Sequence, residues 1–333
     1  MTITIERPNR APANEPLWNT MSGGSFTGTW AEARQSAGLT WEPIDRPVWD
    51  ETIVIEDGVP GVKYVEIPES KQRVRSDTGK RLGVVNTGLA MINHDDIGEI
   101  LEAIGVETRI SWRRLGELQG GKKIWALADL GESRTVLGDF SPQFPHLLVT
   151  AGHTGGAAFS ATTLLARYDC ANVIRPAQAA GKKGGRIFTI RHTKNWRSML
   201  EAARLAVHGA RAEFDTTMEV LDHLALQRVD AAAEEQFVQR FFPLPPEHER
   251  TVRKVNGVET RRVQLRSLLA SPTNDMRPSA YKLVQGAVEW SDHVQWAKNA
   301  ETRFTRSLVD ASPHKIRAVN LARDIARDFA LAG

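Results

Sequence analysis

The chain has 333 residues, of which 41% are hydrophobic and 25% charged, a composition typical of a globular protein with a sizeable core. Its net charge is only +3, so attraction to a polyanion would have to come from how the charge is distributed. A single cysteine, Cys170, excludes an internal disulfide and a cysteine-rich zinc site, and no apolar run is long enough to span a membrane.

The first 28 residues are rich in Pro, Asn, Gly and Ser, which predicts a flexible arm over residues 1–28. Trp18 lies in this segment, and tryptophans in such segments usually dock, either on the chain's own body or on a neighbouring subunit. The segment also lacks the apolar stretch of a signal peptide. Together with the single cysteine, this favours a cytoplasmic protein.

The next part of the chain shows helix boundaries and hairpin turns. Thr29 and Gly38 bracket a short helix, as its N-cap and as the residue past its end. Another helix starts at His94, where the adjacent acids serve capping rather than a metal. Turn residues at 77–79, 120–121 and 153–156 separate segments of strand character. Since consecutive hairpins usually pair with neighbours, we expect all three in one antiparallel sheet.

From Asn195 onward, apolar residues recur at helical spacing. The pattern predicts a long helix over residues 195–230, whose stripe from Trp196 to Phe214 packs across the sheet. The predicted fold is α+β, with an antiparallel hairpin-built sheet packed by a long helix and a helical C-terminal half. The expected domains are a core over 29–230 and a helical region over 231–333. Shorter helices are predicted over 232–242, 249–269, 280–296 and 313–331.

One stretch concentrates positive charge. No acidic residue occurs between Asp169 and Glu201, whereas residues 175–197 hold seven Lys or Arg residues, interleaved with aromatic side chains. Such a pattern is typical of nucleic-acid binding, because cations release phosphate counterions and aromatic rings stack on bases. Two arginines of the 77–79 hairpin extend the pattern. The predicted contacts are Lys182, Lys183, Arg186, Arg191, His192, Lys194, Trp196, Arg197, Arg73 and Arg75.

Several alternatives stay open for these residues. The basic stretch is equally consistent with a solvated hairpin, and it would also suit a small anionic ligand. The stripe of the following helix favours Trp196 as a core residue over a stacking one. For Arg73 and Arg75, a solvated sheet edge that resists aggregation competes with phosphate contact.

Catalytic signatures are absent from the sequence. It has no nucleophile elbow, zinc-protease motif, phosphate loop or dinucleotide-binding glycine motif. We therefore expect a binding protein rather than an enzyme, with no metal and no other cofactor. The remaining enzyme hypothesis places His153, His192 and Asp169 in one cleft and assigns the chain to nucleic-acid modification.

Six stretches resemble, in order, the phage/plasmid-like family of unknown function. They are AEARQSAGLTWEP from Ala31, RSDTGKRLGVVN, LQGGKKIWALADL, HTGGAAFSA, ARYDCAN with IRHT, and AVEWSDH ending at His293. The chain departs from the family after Cys170, where Asn-Thr-Leu is usual, and at residues 288–293, where a Thr-Glu-Tyr-Val-Asp-His run is frequent. The hairpin-rich sheet flanked by helices is in turn similar to the fold of phage single-strand annealing recombinases of the Erf and Red-beta kind.

This resemblance and the charge pattern lead to one expectation. We expect a phage-encoded protein that binds single-stranded DNA and anneals complementary strands, without nucleotide or metal, in the cytoplasm of an infected bacterial host. The analogy also implies self-association into a ring or filament. The first alternative is a structural or host-interaction protein with a basic docking surface, and the second is the enzyme described above.

Overall fold

A computed structural model describes residues 16–21, 23–25, 29–57, 59–108, 111–155, 157–168, 172–183, 186–310 and 312–332. The strands are β1 (Gly24–Ser25), β2 (Pro43–Glu56), β3 (Val59–Arg75), β4 (Arg81–Asn86), β5 (Ser111–Leu118), β6 (Lys123–Asp129), β7 (Arg134–Thr135), β8 (Pro142–Gly152), β9 (Ala157–Arg167), β10 (Val173–Ile174) and β11 (Arg186–Arg191). The α-helices are α1 (Trp30–Ser36), α2 (His94–Thr108), α3 (Pro176–Ala179), α4 (Leu200–Leu226), α5 (Ala231–Phe241), α6 (Val252–Leu269), α7 (Ala280–Glu289), α8 (Ala300–Phe304) and α9 (Pro313–Ala332).

The strands form two antiparallel sheets, and the helices dominate the C-terminal half, which confirms the predicted α+β fold. The large sheet has the order β1-β5-β6-β8-β9-β10, with β11 beside β9 and β7 beside β8. The prediction of a single sheet is wrong for the 77–79 hairpin, which belongs to a separate sheet of order β2-β3-β4. Here β3 finds partners on both sides within its own neighbourhood, so this hairpin has no strand left to offer to the large sheet.

The helix α1 begins as the sequence predicts. The Thr29 hydroxyl accepts a hydrogen bond from the Glu32 N–H at 3.3 Å, and the Glu32 carboxylate accepts one from the Thr29 N–H at 2.7 Å. Together the two bonds make a capping box. Gly38 follows the helix with a φ of +70°, a conformation that glycine adopts without strain.

We expect replacement of this cap, Thr29→Ala, to lower the free energy of unfolding by about 1 kcal/mol, because the first turn of α1 loses a side-chain acceptor. Urea denaturation measures the change. Thr216→Ala is the matched control, since the Thr216 hydroxyl only bonds back to the Ala212 carbonyl inside α4. Equal losses from both variants would contradict a capping role.

One face of the large sheet packs against α2 and α4. Ile124, Phe159 and Ile190 project from the strands into a cluster that includes Trp196 and Val207. Trp196 lies in a 3-10 turn (Trp196–Met199) that leads into α4. The predicted packing of this stripe across the sheet is therefore confirmed, although its last member, Phe214, packs with the helical half.

The opposite face of the large sheet meets the ends of the chain. Trp125 packs there with Leu17 and Trp18 from near the N-terminus and with Phe304 and Leu308 from the helical half. Residues 16–21 are thus docked on the body, because their apolar side chains complete this small core, and the flexible arm expected over 1–28 does not describe them. Residues 1–15, 22 and 26–28 lie outside the described part of the chain.

The helical half continues the same fold. Met218 of α4 packs with Phe237 of α5, Leu265 of α6 and Val284 of α7 in one cluster. The α-helix α7 runs on into a π-helical turn (Trp290–Val294) whose Asp292 is fully buried. Within the described residues, no helix combines the length and the apolar character needed to cross a membrane.

Candidate nucleic-acid interface

The fold divides the acid-free basic stretch into two exposed groups. Lys182 and Lys183 are exposed between α3 and β11, whereas Arg191 and Lys194 are exposed after β11. Since β11 has six residues, about 20 Å of strand separates the groups. Arg186 is the first residue of β11, and its side chain lies outside the described part of the structure. β11 pairs with β9, and no described strand pairs with its other edge.

Three predicted contacts at the start of α4 are held by the fold instead. Trp196 is only 3% exposed, and the Arg197 guanidinium lies 4.3 Å from its ring centre. Arg197 also forms ion pairs with Glu99 and Asp96 of α2, and the hydrogen bond to Glu99 raises its pKa. With the core on one side of the indole and Arg197 on the other, Trp196 offers no free face to a base.

Arg73 and Arg75 attach the small sheet to the large one. The Arg73 side chain is fully buried, donates to Asp45 at 2.8 Å, and also donates to the His153 carbonyl. Arg75 pairs with Glu117 of β5 at 2.8 Å and lies over the Trp41 ring at 4.2 Å. Both guanidinium groups are thus already saturated by carboxylates and carbonyls.

The hydrogen bonds of Arg73 and Arg75 are visible in the titration of their partners. Burial alone would raise the pKa of Asp45, but the hydrogen bonds from Arg73 and Lys71 outweigh burial and lower it. The hydrogen bond from Arg75 lowers the pKa of Asp77 to about 2. These carboxylates stay charged at neutral pH and hold the two arginines in place.

The structure reveals a trough on the large sheet beside β11. It has a volume of about 260 Å³, and its floor comes from β8 and β9, whose Thr150 and Ser160 hydroxyls lie 3.0 Å apart. Thr189 of β11 is paired with Ser160, so the edge strand runs directly along the trough. The walls carry Lys122, Lys123, Thr154 and Asp310, and Thr162 completes the floor.

The strand alternation explains the polar floor. In β9, Phe159 and Ala161 point into the core under α4, so Ser160 and Thr162 point to the opposite face. No described helix covers the sheet at this position, which leaves the hydroxyls facing the trough. Serine and threonine hydroxyls both donate and accept hydrogen bonds, which suits a ligand with phosphate oxygens.

The cations around the trough have no carboxylate partner. Among the described residues, no acidic oxygen lies within 4 Å of Lys122, Lys123, Arg191 or Lys194, and the same holds for Lys182 and Lys183. Asp310 is the acidic residue on the trough wall, and it forms no ion pair with the two lysines. A surface of this kind presents uncompensated positive charge to solvent.

The loops that carry these cations are joined by hydrogen bonds. The His153 N–H donates to the Lys122 carbonyl at 3.0 Å, and Lys123 is paired with Gly152 in the sheet. His192, which is 7% exposed, donates from Nδ1 to the Ala90 carbonyl at 3.1 Å. Lys122 and Arg191 are thereby held at the same end of the large sheet.

A buried histidine pair lies beneath this end. His153 Nδ1 donates to the Ile92 carbonyl at 3.1 Å, so its Nε2 accepts from His94 Nε2 at 3.2 Å. His94 Nδ1 faces an Arg34 nitrogen at 3.4 Å, from which it accepts. Burial lowers the pKa of His94 to about 3 and that of His153 to about 4, so both rings are neutral. The pair is a structural hydrogen-bond chain under the trough.

The enzyme hypothesis gains one contact and no cleft. His153 and His192 are close enough to affect each other's charge, yet both are buried and each bonds a backbone carbonyl. Asp169 lies outside the described residues, and Tyr168 before it lies at the opposite end of β9 from the His153 loop. Within the described ranges, no three His, Cys, Asp or Glu side chains are grouped to hold a metal ion.

Comparison with known families gives one match. Residues 81–312 match the family described as Domain of unknown function (DUF932), which covers more than half of the chain. The chain belongs to the DUF932 family. No curated protein and no solved structure matches the chain significantly.

The DUF932 match covers β4 to the end of the second π-helical turn (Thr305–Val309), and with it the trough and both exposed cation groups. The two strands β2 and β3 precede it. Sequence reasoning did not single out Lys122 and Lys123, although they stand next to each other after the glycine turn. The available signal was this lysine pair together with hydroxyl residues alternating in the two following strands.

Proposed function

We propose that this DUF932 protein binds single-stranded nucleic acid, DNA in the first instance, through phosphate contacts along β11 and in the trough beside it. The observation that carries the proposal is the combination of unpaired cations at Lys122, Lys123, Arg191 and Lys194 with a floor of hydroxyls. Cations supply the counterion-release term, and hydroxyls and backbone N–H groups position individual phosphates.

The shape of the surface favours a single strand. A trough of about 260 Å³ accommodates one phosphodiester unit, whereas a double helix would lie over it without entering. Lys182 and Lys183 at the other end of β11 extend the cationic line along the sheet edge. Proteins that bind single strands without sequence preference use such a groove to follow the backbone.

A finer role follows from the resemblance to the phage/plasmid-like family. We propose that the protein anneals complementary strands during phage recombination or replication in the cytoplasm of the bacterial host. Phosphate contacts leave base edges free to pair, which annealing requires, and no step of this activity calls for a nucleotide or metal. The analogy with annealing recombinases of the Erf and Red-beta kind supports this role at the level of fold only.

The test is a binding measurement on the triple variant Lys122→Glu, Arg191→Glu, Lys194→Glu. We expect it to bind a labelled single-stranded oligonucleotide more than about tenfold more weakly than the parent, with the salt slope flattened by about 2, since each lost contact on a single strand removes about 0.7. Fluorescence anisotropy at two salt concentrations, with single-stranded and duplex DNA, measures both quantities.

The matched control is Arg228→Glu, Arg240→Glu, Arg327→Glu, which makes the same change of charge on exposed positions of the helical half. Equal losses from both triple variants would show general charge attraction instead of a site. The pair Lys182→Glu, Lys183→Glu tests the far end of β11. If the parent protein binds no oligonucleotide at low salt, the proposal fails and the host-interaction alternative stands in front.

A further inference from the structure

The strands β2 and β3 extend far beyond β4. The partner β4 covers β3 only from Ser70 to Val74, whereas β2 and β3 continue as a two-stranded ribbon between residues 47 and 70. We call residues 47–70 the acidic arm. Its described residues are exposed except for partial cover of a few side chains, and about eight pairs from Trp49 onward give it a length of about 25 Å.

One face of the acidic arm is apolar. The register pairs Ile53 with Val62 and Glu51 with Tyr64, and because paired residues share a face, Trp49 and Ile55 lie on this face as well. These side chains are 55–74% exposed in the described structure. A two-stranded ribbon is marginally stable alone in water, and a contiguous apolar surface of this kind marks an interaction site.

The charge of the acidic arm restricts its partner. Residues 47–70 hold six acids and one lysine, a net charge of −5 in a chain of net charge +3, so the rest of the chain carries +8. A nucleic acid or another acidic arm would be repelled. The partner surface is therefore basic and exposes apolar side chains.

The same chain carries such a surface at the start of α6. Residues 250–266 hold six cations and one acid, a net charge of +5, which balances the −5 of the arm. Val252 is 78% exposed and Val263 is 60% exposed. Arg253 has no ion-pair partner among the described residues, and before Leu265 only Val258 of this helix is buried.

We propose that the acidic arm of one copy binds the exposed, basic N-terminal half of α6 in a second copy. Two different surfaces then meet, so each copy uses its arm toward one neighbour and its α6 toward the other. Such a head-to-tail contact closes into a ring or extends into a filament. The proposal does not depend on nucleic-acid binding, because neither surface includes a residue of the trough.

The experiment measures the molar mass of the full chain by light scattering after gel filtration, over a range of concentrations without nucleic acid. We expect the parent to exceed the 36.9 kDa of one copy. Variant A carries Glu51→Lys, Glu56→Lys and Glu66→Lys in the arm, and variant B carries Arg250→Glu, Arg253→Glu and Lys254→Glu at α6. Each variant alone has like charges on both surfaces and should be monomeric.

An equimolar mixture of A and B distinguishes this contact from any other. The arm of A then faces the α6 of B with opposite charge, and the arm of B faces the α6 of A as in the parent, so assembly should return. A third variant, Ile53→Ser with Tyr64→Ser, removes apolar surface without changing charge and should also reduce the mass.

Three outcomes would overturn the proposal. They are a monomeric parent at every concentration, an assembled variant A, which would indicate arm-to-arm pairing, and an A–B mixture that stays monomeric although circular dichroism shows both variants folded.

Discussion

Lys315→Met should destabilise the protein by about 3–5 kcal/mol, because it leaves a buried carboxylate without its counter-charge. Lys315 and Asp292 are both fully buried, and their charged atoms lie 2.7 Å apart. The ammonium also donates to the Val173 and Ser307 carbonyls, so all three of its protons are used. Burial lowers the pKa of Lys315, while Asp292 opposes that shift.

The loss extends beyond one ion pair. Asp292 also accepts a hydrogen bond from the Val173 N–H at 2.9 Å, so the pair joins β10 of the large sheet to α7 and α9. Without Lys315, the carbonyls of Val173 and Ser307 lose a donor in a place that water does not reach, which adds to the cost. The resemblance motif AVEWSDH thus contributes a structural contact at its Asp292.

Urea denaturation of the parent and of Lys315→Met measures the effect. The control is Lys254→Met, which breaks the half-exposed pair with Glu249 and should cost no more than about 1 kcal/mol. In the double variant Asp292→Asn, Lys315→Met, the orphaned charge is gone, so its loss should be smaller than the sum of the single losses. A Lys315→Met loss no larger than that of Lys254→Met would contradict the account.

Mild acid is the second perturbation with a large expected effect. The folded chain keeps His94 and His153 neutral, with pKa values of about 3 and about 4 against 6.5 for an ordinary histidine. Below pH 6.5 the unfolded chain therefore binds protons that the folded chain does not bind. Stability is full above about pH 6.5 and should fall toward pH 4, by at most about 1.4 kcal/mol per pH unit for each ring.

Denaturation curves at pH 7, 6 and 5 measure this slope. Arg34, Arg73 and His192 surround the pair and disfavour its protonation, whereas Glu42 is the nearest carboxylate and lies 4.0 Å from His94. His94→Gln should flatten the slope, while His248→Gln should leave it unchanged, since the His248 side chain is 80% exposed. A stability that does not change between pH 7 and pH 5 would rule out a buried neutral pair.

Features set by neighbours in sequence were predictable. Thr29 and Gly38 bracket α1 as expected, and the three glycine-containing turns connect strands where the sequence placed them. The buried stripe of α4 followed from helical spacing. These features depend on backbone conformation and periodicity within a few residues, which the sequence displays directly.

Features set by distant residues were not predictable. Arg73, Arg75 and Arg197 seemed free to bind phosphate, but their carboxylates come from Asp45, Glu117 and Glu99, which are 28, 42 and 98 residues away in sequence. An acid-free window says nothing about acids that the fold brings in. The same reason hid the trough, since Lys122 and Ser160 become neighbours only after β6, β8 and β9 have paired.

The small core around Trp125 also sets the order in which the protein can be completed during synthesis. Leu17 and Trp18 leave the ribosome first, but Phe304 and Leu308, against which they pack, follow on the order of 290 residues later. At roughly 5–20 residues per second, the N-terminal tryptophan waits roughly 15 to 60 s for its packing partners. During that time its apolar surface is available to chaperones, and the far face of the large sheet closes last.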